Sequence, residues 1–206
     1  MAERLPKLEY CTYGDYCGWK EDERWEIIDG VPYNMTGPSR QHAEISRELG
    51  FQFVSFFRGR PCQVYSAPFD VRLPRGNEAD NEIDTVVQPD LLVVCDEKKL
   101  DDRGCRGAPD LIIEILSPST AARDCIQKRS LYERHGVREF WTVDPANRIV
   151  TVYLLDAGRK FGKPEIYGDT DKINVSIVEG LEIKLDEVFP PAPGLRVVKE
   201  SPTSFD

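Results

Sequence analysis

Two acidic residues interrupt apolar segments that otherwise have the composition of buried strands. Glu114 lies inside Leu111–Leu116, and Asp90 stands immediately before Leu91–Val94. Each segment is short, rich in branched aliphatic residues and bounded by Pro, Gly or charge, which is typical of an interior strand. An ionised carboxylate is costly in such a place unless it is paired or bound to a cation. If the two strands are neighbours, the two acids would form a binding site for a divalent metal ion.

A third acid, Asp110, competes with Asp90 for the role of first metal ligand, since each follows a proline. Asp110 and Glu114 are four residues apart on one predicted strand, a separation of about 13 Å. Two carboxylates on one cation must bring their oxygens within about 4–5 Å of each other. We therefore interpret Asp110 as a strand-entry residue. Two structural alternatives stay open: a buried ion pair with an arginine for Glu114, and ordinary loop chemistry for Asp90.

The segment after the second strand places three polar side chains on one helical face. Asp124, Lys128 and Tyr132 are spaced i, i+4 and i+8. A lysine beside a bound metal and a scissile phosphate could stabilise charge on the attacking water or on the phosphorane. From the spacing alone, a solvated helix face with one Asp–Lys pair is the favoured interpretation.

Composition bounds the class of protein. The chain has 206 residues, of which 40% are hydrophobic and 31% charged, the balance of an ordinary globular domain. No apolar stretch approaches the roughly 20 residues that span a bilayer, so no membrane association is expected. Residues 1–7 lack the apolar core of a secretory signal, so we expect a cytoplasmic protein. The net charge of −9 argues against sequence-blind coating of nucleic acid by the whole surface, but it allows a local basic face.

The six cysteines show neither a CxxC motif nor histidines at zinc-binding spacing. This pattern disfavours a structural zinc. Because no secretory signal is expected, the cysteines are predicted to be reduced thiols. Their positions are Cys11, Cys17, Cys62, Cys95, Cys105 and Cys125.

The order of predicted elements indicates an α+β domain, with a mixed β-sheet flanked by helices and an N-terminal hairpin. Asp29-Gly30 sits between two apolar pieces, the strongest short-range hairpin signal. Ser39 is a plausible N-cap of the first long helix, and Gly136 is expected to end the second. The whole chain, 1–206, is predicted to be one domain with an arm over 1–24 and a tail over 186–206. Further strands are expected at 62–65, 69–73, 140–143, 149–155, 173–178 and 181–185, loops at 75–84 and 96–107, and a helix start at Ser119 or Thr120.

The central block Gly107–Thr120, together with Pro89-Asp90, resembles the large bacterial family often called Uma-two (Uma2), whose members are described as restriction endonucleases. The resemblance covers roughly residues 20–160, and it implies the mixed sheet flanked by helices of the PD-(D/E)XK nuclease superfamily. Further matching positions are Trp25–Gly30, Pro38-Ser39, His42, Asp124, Lys128, Tyr132, Gly136-Val137, Glu139–Trp141 and Val143–Pro145.

The resemblance implies specific roles in binding Mg²⁺ or Mn²⁺. Asp90 would be the first acid, Glu114 the second, and the backbone carbonyl of Ile115 a further ligand. The superfamily's lysine normally follows two residues after the second acid, where this chain has Leu116. In this family the lysine is thought to have moved to the following helix, which points to Lys128 and reverses the preference from spacing alone.

Five residues form a second group of candidates. The resemblance implies that Glu26, His42 and Asp70 line the same cleft, while Asp124 would orient Lys128 and Tyr132 would orient it or contact substrate. Glu26 could equally be hairpin surface, His42 a first-turn helix residue and Asp70 a strand-edge acid. The chain has only two histidines, which disfavours a histidine-based metal site and a Ser-His-Asp triad.

The implied activity is metal-assisted hydrolysis of phosphodiester bonds, with DNA as the expected substrate. A homodimer is expected because duplex cleavage needs two active sites. Two alternatives stay open: a non-catalytic nuclease fold used for interaction or DNA binding, and a hydrolase of another phosphoester. A basic rim could meet the phosphate backbone, formed by Arg123, Arg129, Arg134 and Arg138.

Overall fold

The computed structural model describes residues 10–19, 23–118 and 123–189. Within these residues the strands form two six-stranded sheets and one two-stranded ribbon. The four helices are α1 (Tyr13–Tyr16), α2 (Arg40–Phe57), α3 (Arg129–His135) and α4 (Leu185–Val188). The strands are β1 (Trp25–Ile28), β2 (Val31–Asn34), β3 (Gln63–Ser66), β4 (Val71–Arg72), β5 (Val86–Val87), β6 (Leu91–Val94), β7 (Leu100–Asp101), β8 (Gly104–Arg106), β9 (Leu111–Ile115), β10 (Glu139–Asp144), β11 (Ile149–Leu154), β12 (Glu165–Gly168), β13 (Lys172–Asn174) and β14 (Glu182–Lys184).

The sheet that carries the two apolar segments has the order β12-β11-β10-β9-β6-β3. It is mixed, because β9 and β10 run parallel while its other pairs are antiparallel. The second sheet has the order β2-β1-β5-β4-β8-β7 and includes the N-terminal hairpin. The predicted α+β architecture is therefore confirmed.

The central sheet is buried on both faces, which explains why β6 and β9 are almost continuously apolar. On one face α2 contributes Leu49 and Phe53 to a cluster with Ile113 and other residues of β9. On the other face Ile112 packs with Tyr132 of α3. Because side chains alternate along a strand, Glu114 shares the face of Ile112 and points towards α3.

The predicted hairpin turn and the predicted helix caps are confirmed. The hairpin turns at Asp29 and Gly30, whose φ angles of 52° and 79° are those of a two-residue turn with both residues left-handed. The Ser39 hydroxyl accepts the backbone N–H of His42 at 3.2 Å and caps α2. Gly136 ends α3 with a φ of 84°. The predicted helix start at residues 119–120 lies outside the described residues.

The structure corrects the prediction for two cysteines. Cys62 and Cys95 form a disulfide, whereas all six cysteines were expected to be reduced. Each lies one residue beyond the antiparallel β3–β6 pair, whose register matches Gln63 with Val94, so the two positions face each other. Cys11, Cys17, Cys105 and Cys125 are free thiols, as predicted.

Three predicted irregular segments contain more structure than expected. The 96–107 connection holds the β7–β8 hairpin. The 75–84 loop is anchored by Asp80, which accepts hydrogen bonds from two arginine side chains. Within the predicted tail, Phe189 is buried in the core. Residues 1–9, 20–22 and 190–206 of the predicted arm and tail lie outside the described residues.

Among the residues that the structure describes, no helix has the combination of length and apolar character needed to traverse a membrane.

Candidate functional site

Asp90 and Glu114 come together as the two-strand hypothesis requires. β6 and β9 are antiparallel neighbours, and the last registered pair at this end is Leu91 with Ile113. Asp90 and Glu114 occupy the next opposed position, where side chains point to the same face of the sheet. The Asp90 carboxylate bends back over β9, and its Oδ2 accepts the backbone N–H of Ile115 at 2.7 Å.

The second oxygen of Asp90 is engaged by a histidine from α2. His42 Nε2 lies 3.1 Å from Asp90 Oδ1. Burial lowers the pKa of His42, but the hydrogen bond and the charge of Asp90 outweigh it, so the net pKa is raised. His42 Nδ1 is buried, and no hydrogen-bond partner reaches it within the described parts of the chain. A hydrogen bond with the Ile115 backbone also raises the pKa of His42, so His42 lies beside both Asp90 and Ile115.

Glu114 is buried and receives two donors on the same oxygen. Lys128 Nζ lies 3.0 Å from its Oε1, and the Tyr132 hydroxyl donates to Oε1 at 2.5 Å. No donor from the described residues is within hydrogen-bond distance of Oε2. Burial raises the pKa of Glu114 well above its ordinary value, and the neighbouring acids raise it further. Burial and the charge of Glu114 also raise the pKa of Tyr132, so the phenol remains a donor.

Lys128 is a buried ammonium surrounded by carboxylates. Besides Glu114, its Nζ lies 2.8 Å from Glu26 Oε1 and 3.7 Å from Asp124 Oδ1. Burial lowers the pKa of Lys128, but the charges of these three acids outweigh it, so the net pKa is raised and the amine stays protonated. Three carboxylates around one ammonium leave an excess of negative charge, which favours a further cation at this place.

Backbone geometry brings these groups together. Arg123–Lys128 is a π-helical turn that leads into α3, and it sets Asp124 beside Lys128. On β1, Glu26 is fixed because its Oε1 also accepts the backbone N–H of Gln88 at 2.9 Å. The sequence reading did not single out Gln88, since its contribution to this bond is made by the backbone and leaves no side-chain pattern.

The acids line a cleft of about 640 Å³ between α2, the hairpin and the π-helical turn. It brings together seven of the nine candidates: Glu26, His42, Asp90, Glu114, Ile115, Asp124 and Lys128. Tyr132 lies beneath the cleft, in contact with Glu114. Asp70 is not part of the lining. Its Oδ1 accepts the Tyr16 hydroxyl and the Gln88 side-chain amide, each at 2.9 Å.

The expected basic rim is distributed differently. Arg123 lines the cleft, with its guanidinium 4.7 Å from the centre of the Tyr33 ring. Arg129, Arg134 and Arg138 contact Tyr153, Asp29 and Asp110, respectively. Arg24 and Arg47 also line the cleft. Sequence reading missed these two, because they belong to the hairpin and α2 rather than to the helix after the second acid.

The oxygen donors fit a hard divalent cation. Across the described residues, no three His, Cys, Asp or Glu side chains are arranged to hold a metal by themselves. What the cleft offers is Asp90, Glu114, whose Oε2 accepts no donor from the described residues, and the Ile115 backbone. Mg²⁺ is commonly held by one or two carboxylates and keeps several waters, so this sparse set and the excess negative charge suit it.

Comparisons with known proteins agree with the fold and the motif. A family model described as "Putative restriction endonuclease" (Uma2) matches residues 11–186. The uncharacterized protein slr1290 of Synechocystis sp. is 30% identical over 130 residues, so that the match spans 62% of this chain and 63% of that protein. The uncharacterized protein sll1609 of the same organism is 24% identical over 181 residues, covering 86% of this chain and 93% of that protein.

A crystal structure from Anabaena variabilis, described as a putative nuclease belonging to DUF820, has the same fold. It superimposes with a TM-score of 0.69 at 20% identity, covering 86% of this chain and 97% of the other. Since the family model spans most of the sequence, including both strands that carry Asp90 and Glu114, the chain belongs to the Uma2 family.

Proposed function

We propose that this protein is a metal-dependent endonuclease that hydrolyses phosphodiester bonds in DNA. One observation carries the proposal: Asp90 and Glu114 face each other across neighbouring strands at the floor of a polar cleft. Membership of a family described as restriction endonucleases supports the nuclease activity. The metal ligands would be Asp90, Glu114 and the carbonyl of Ile115, with Mg²⁺ or Mn²⁺ as the ion.

When bound, the cation would act as a Lewis acid towards the phosphate and lower the pKa of a water nucleophile. The protein's own contribution is to hold charges in place. The Ile115 N–H fixes the Asp90 carboxylate, and Tyr132 fixes that of Glu114. Both contacts set the direction of the carboxylates before substrate arrives, which is the preorganisation that catalysis needs.

Lys128 would serve as a fixed positive charge. Because its pKa is raised, it does not accept the proton of the attacking water at neutral pH. It can instead polarise that water and stabilise the negative charge that develops on the phosphorane. Glu26 and Asp124 would position the ammonium, since both lie beside its Nζ.

Three arginines are placed to meet the phosphate backbone. Arg24, Arg47 and Arg123 line the cleft around its acidic floor. Arg24 is further oriented by Gln88, whose Oε1 accepts its Nη2 at 2.9 Å. Cleavage of both strands of a duplex needs two such sites, so we infer a homodimer that acts on cytoplasmic DNA. Sedimentation equilibrium tests this assembly, and a monomer that still linearises plasmid would contradict it.

The rival hypothesis is a non-catalytic module whose acids are held by ion pairs. It would be favoured by one basic side chain bridging both acids. In the described part of the chain Lys128 pairs with Glu114, while His42 contacts Asp90. The two acids thus have separate partners, which favours the enzyme.

The deciding experiment measures Mn²⁺ binding by calorimetry and plasmid nicking in parallel. Glu114→Gln and Asp90→Asn should each lose Mn²⁺ binding and reduce nicking by at least about 100-fold. Asp110→Asn is the matched control, because Asp110 is a buried acid on the same segment whose partners are Arg138 and the Cys95 N–H. It should retain both properties.

Two outcomes would redirect the proposal. Folded wild-type protein that neither binds Mn²⁺ nor nicks plasmid would favour the interaction module. Mn²⁺ binding with hydrolysis of a small phosphodiester, but not of plasmid, would favour a hydrolase of another phosphoester.

A further inference from the structure

A second pocket contains none of the residues assigned to the cleft. It lies at the end of α3, whereas Lys128 immediately precedes the start of that helix. Its volume is about 700 Å³. Three separate elements supply its cationic side chains: the loop after β4, the last turn of α3 and the loop between β11 and β12. The lining residues are Asp29, Pro74, Arg75, Arg134, His135 and Arg159.

The charges of this pocket are not balanced. Arg75 Nη2 lies 3.0 Å from Asp29 Oδ1 and 2.8 Å from Asp84 Oδ2, and Arg134 also donates to Asp29. Two carboxylates therefore balance the charge of these two guanidiniums. Arg159 has no carboxylate partner among the described residues. A surplus cation in a protein of net charge −9 marks a local reversal of the surface potential.

Arg159 is held over the pocket by its surroundings. The backbone of Arg159 has a φ of 58°, a left-handed value that is uncommon outside glycine. The loop is tied to α3 through Glu133, which accepts Lys160 Nζ at 2.9 Å and the Phe161 N–H at 2.7 Å. The guanidinium then covers Gly136, where a Cβ would come within 2.5 Å of Nη2. The backbone that carries the third cation is thus fixed by the fold.

His135 adds an unsatisfied polar atom to the same lining. Its Nε2 is buried and has no hydrogen-bond partner within the described residues. Burial lowers its pKa, and the charge of Arg134 lowers it further. A bound anion would reverse both effects, because it adds negative charge and an acceptor beside the ring.

We propose that this pocket binds a phosphoryl group. Guanidinium forks match the oxygens of a phosphate better than any other common side chain, and three converge here. Two of them are shared with Asp29, so the ligand must compete with that carboxylate, and a doubly charged phosphate monoester does so better than a monovalent anion. The same chemistry could come from free phosphate or from the 5′-phosphate of a nucleic acid. The site is independent of the proposed nuclease activity.

The test is a titration with inorganic phosphate at constant ionic strength, followed by NMR of the backbone amides of 134–136 and 159 and of the His135 ring. Wild type should show saturable shifts that chloride does not produce. Arg159→Gln should weaken the apparent affinity at least tenfold, and it should fold normally because this side chain is exposed. Arg103→Gln, at an exposed arginine on the β7–β8 turn, is the matched control and should leave the affinity unchanged.

Two oligodeoxynucleotides that differ only in a 5′-phosphate or a 5′-hydroxyl distinguish the sources. Tighter binding of the phosphorylated one at the same residues identifies a nucleic acid end, and no preference alongside saturable phosphate binding identifies the free anion. The proposal is overturned by an unsaturable response to phosphate, by equal shifts with chloride, or by an Arg159→Gln variant that binds as wild type does. Loss of nicking in Glu114→Gln would not affect this result, so the two proposals fail separately.

Discussion

Two buried clusters of charge differ in balance and in access to water. In the first, Lys128 lies among Glu26, Glu114 and Asp124, whose side chains are 1, 5 and 6% exposed. In the second, buried Arg72 pairs with Asp80 and Asp101, which are 29 and 46% exposed. Among the described residues, the acids of the first cluster outnumber its cation, and all three line the cleft.

The second cluster is balanced in charge and has a structural role. Arg106 adds a second cation through Asp80, and the Arg72 guanidinium lies 5.4 Å from the centre of the Tyr13 ring. Two cations and two acids thus join α1, the 75–84 loop and the β7–β8 hairpin. The comparison teaches that buried charge alone does not indicate a site. Surplus charge of one sign at the wall of a cleft is the better indication, because a bound ligand can supply the missing countercharge.

The largest effect is expected for Lys128→Met, which removes the ammonium from the first cluster. Glu26 and Glu114 would then lose the cation that both contact, at a cost of about 3–5 kcal/mol in the free energy of unfolding. Urea denaturation at neutral pH measures it. The pKa of Glu114, already raised by burial, would rise further once Lys128 no longer lowers it, so the loss should shrink on acidification. A cost below about 1 kcal/mol would show that the acids are already hydrated or protonated.

Arg72→Met should cost less although Arg72 is equally buried. Asp80 and Asp101 can turn towards water once the guanidinium is gone, so we expect about 1–3 kcal/mol. The same denaturation experiment gives the value. If Arg72→Met proved as costly as Lys128→Met, the exposure of the partner acids would not be what separates the two clusters. Nicking per folded molecule should not change, because Arg72 lies outside the cleft.

The first cluster was accessible to sequence reasoning, but the second was not. Glu114 is conspicuous because it interrupts a branched aliphatic strand. The pairing of β6 with β9 was a condition of the metal-site hypothesis, and the structure meets it. Arg72 sits between Val71 and Leu73 without a comparable pattern. Its partners, Asp80 in the 75–84 loop and Asp101 in β7, reach it through long-range packing. Local periodicity carries no information on such contacts.

The same limit applies to two contacts, the Glu26–Lys128 ion pair and the Cys62–Cys95 disulfide, whose cysteines do not line the cleft. The resemblance indicated Glu26 and Lys128, yet neither spacing nor composition could reveal that they touch across 102 residues of sequence. The Cys62–Cys95 disulfide depends on the antiparallel register of β3 with β6, which no local motif encodes. Strand composition predicts that strands exist, whereas pairing is decided by the whole core.

Mn²⁺ should partly restore the stability of Lys128→Met. This result would sharpen the contrast between the two clusters. Without the ammonium, Glu114 is freed for a cation, and the variant should bind Mn²⁺ more tightly than wild type. A ligand that binds the folded state at ten times its Kd adds about 1.4 kcal/mol of stability. Thermal unfolding with and without Mn²⁺ measures the gain, and Arg72→Met is the control that should gain no more than wild type. Equal gains in both variants would place the cation away from Glu114.

The smallest effect concerns His135, in the pocket where the surplus charge is positive. Burial and Arg134 lower its pKa below the ordinary 6.5, so the unfolded chain binds a proton more readily than the folded one. Stability is therefore complete above the unfolded pKa and declines as the pH falls from there towards the folded value. His135→Gln should remove this part of the decline, since glutamine does not titrate. NMR titration of the ring measures the pKa directly, and a value at or above 6.5 would contradict a net positive pocket. Added phosphate should move this pKa upwards, because a bound anion brings negative charge and an acceptor to the ring.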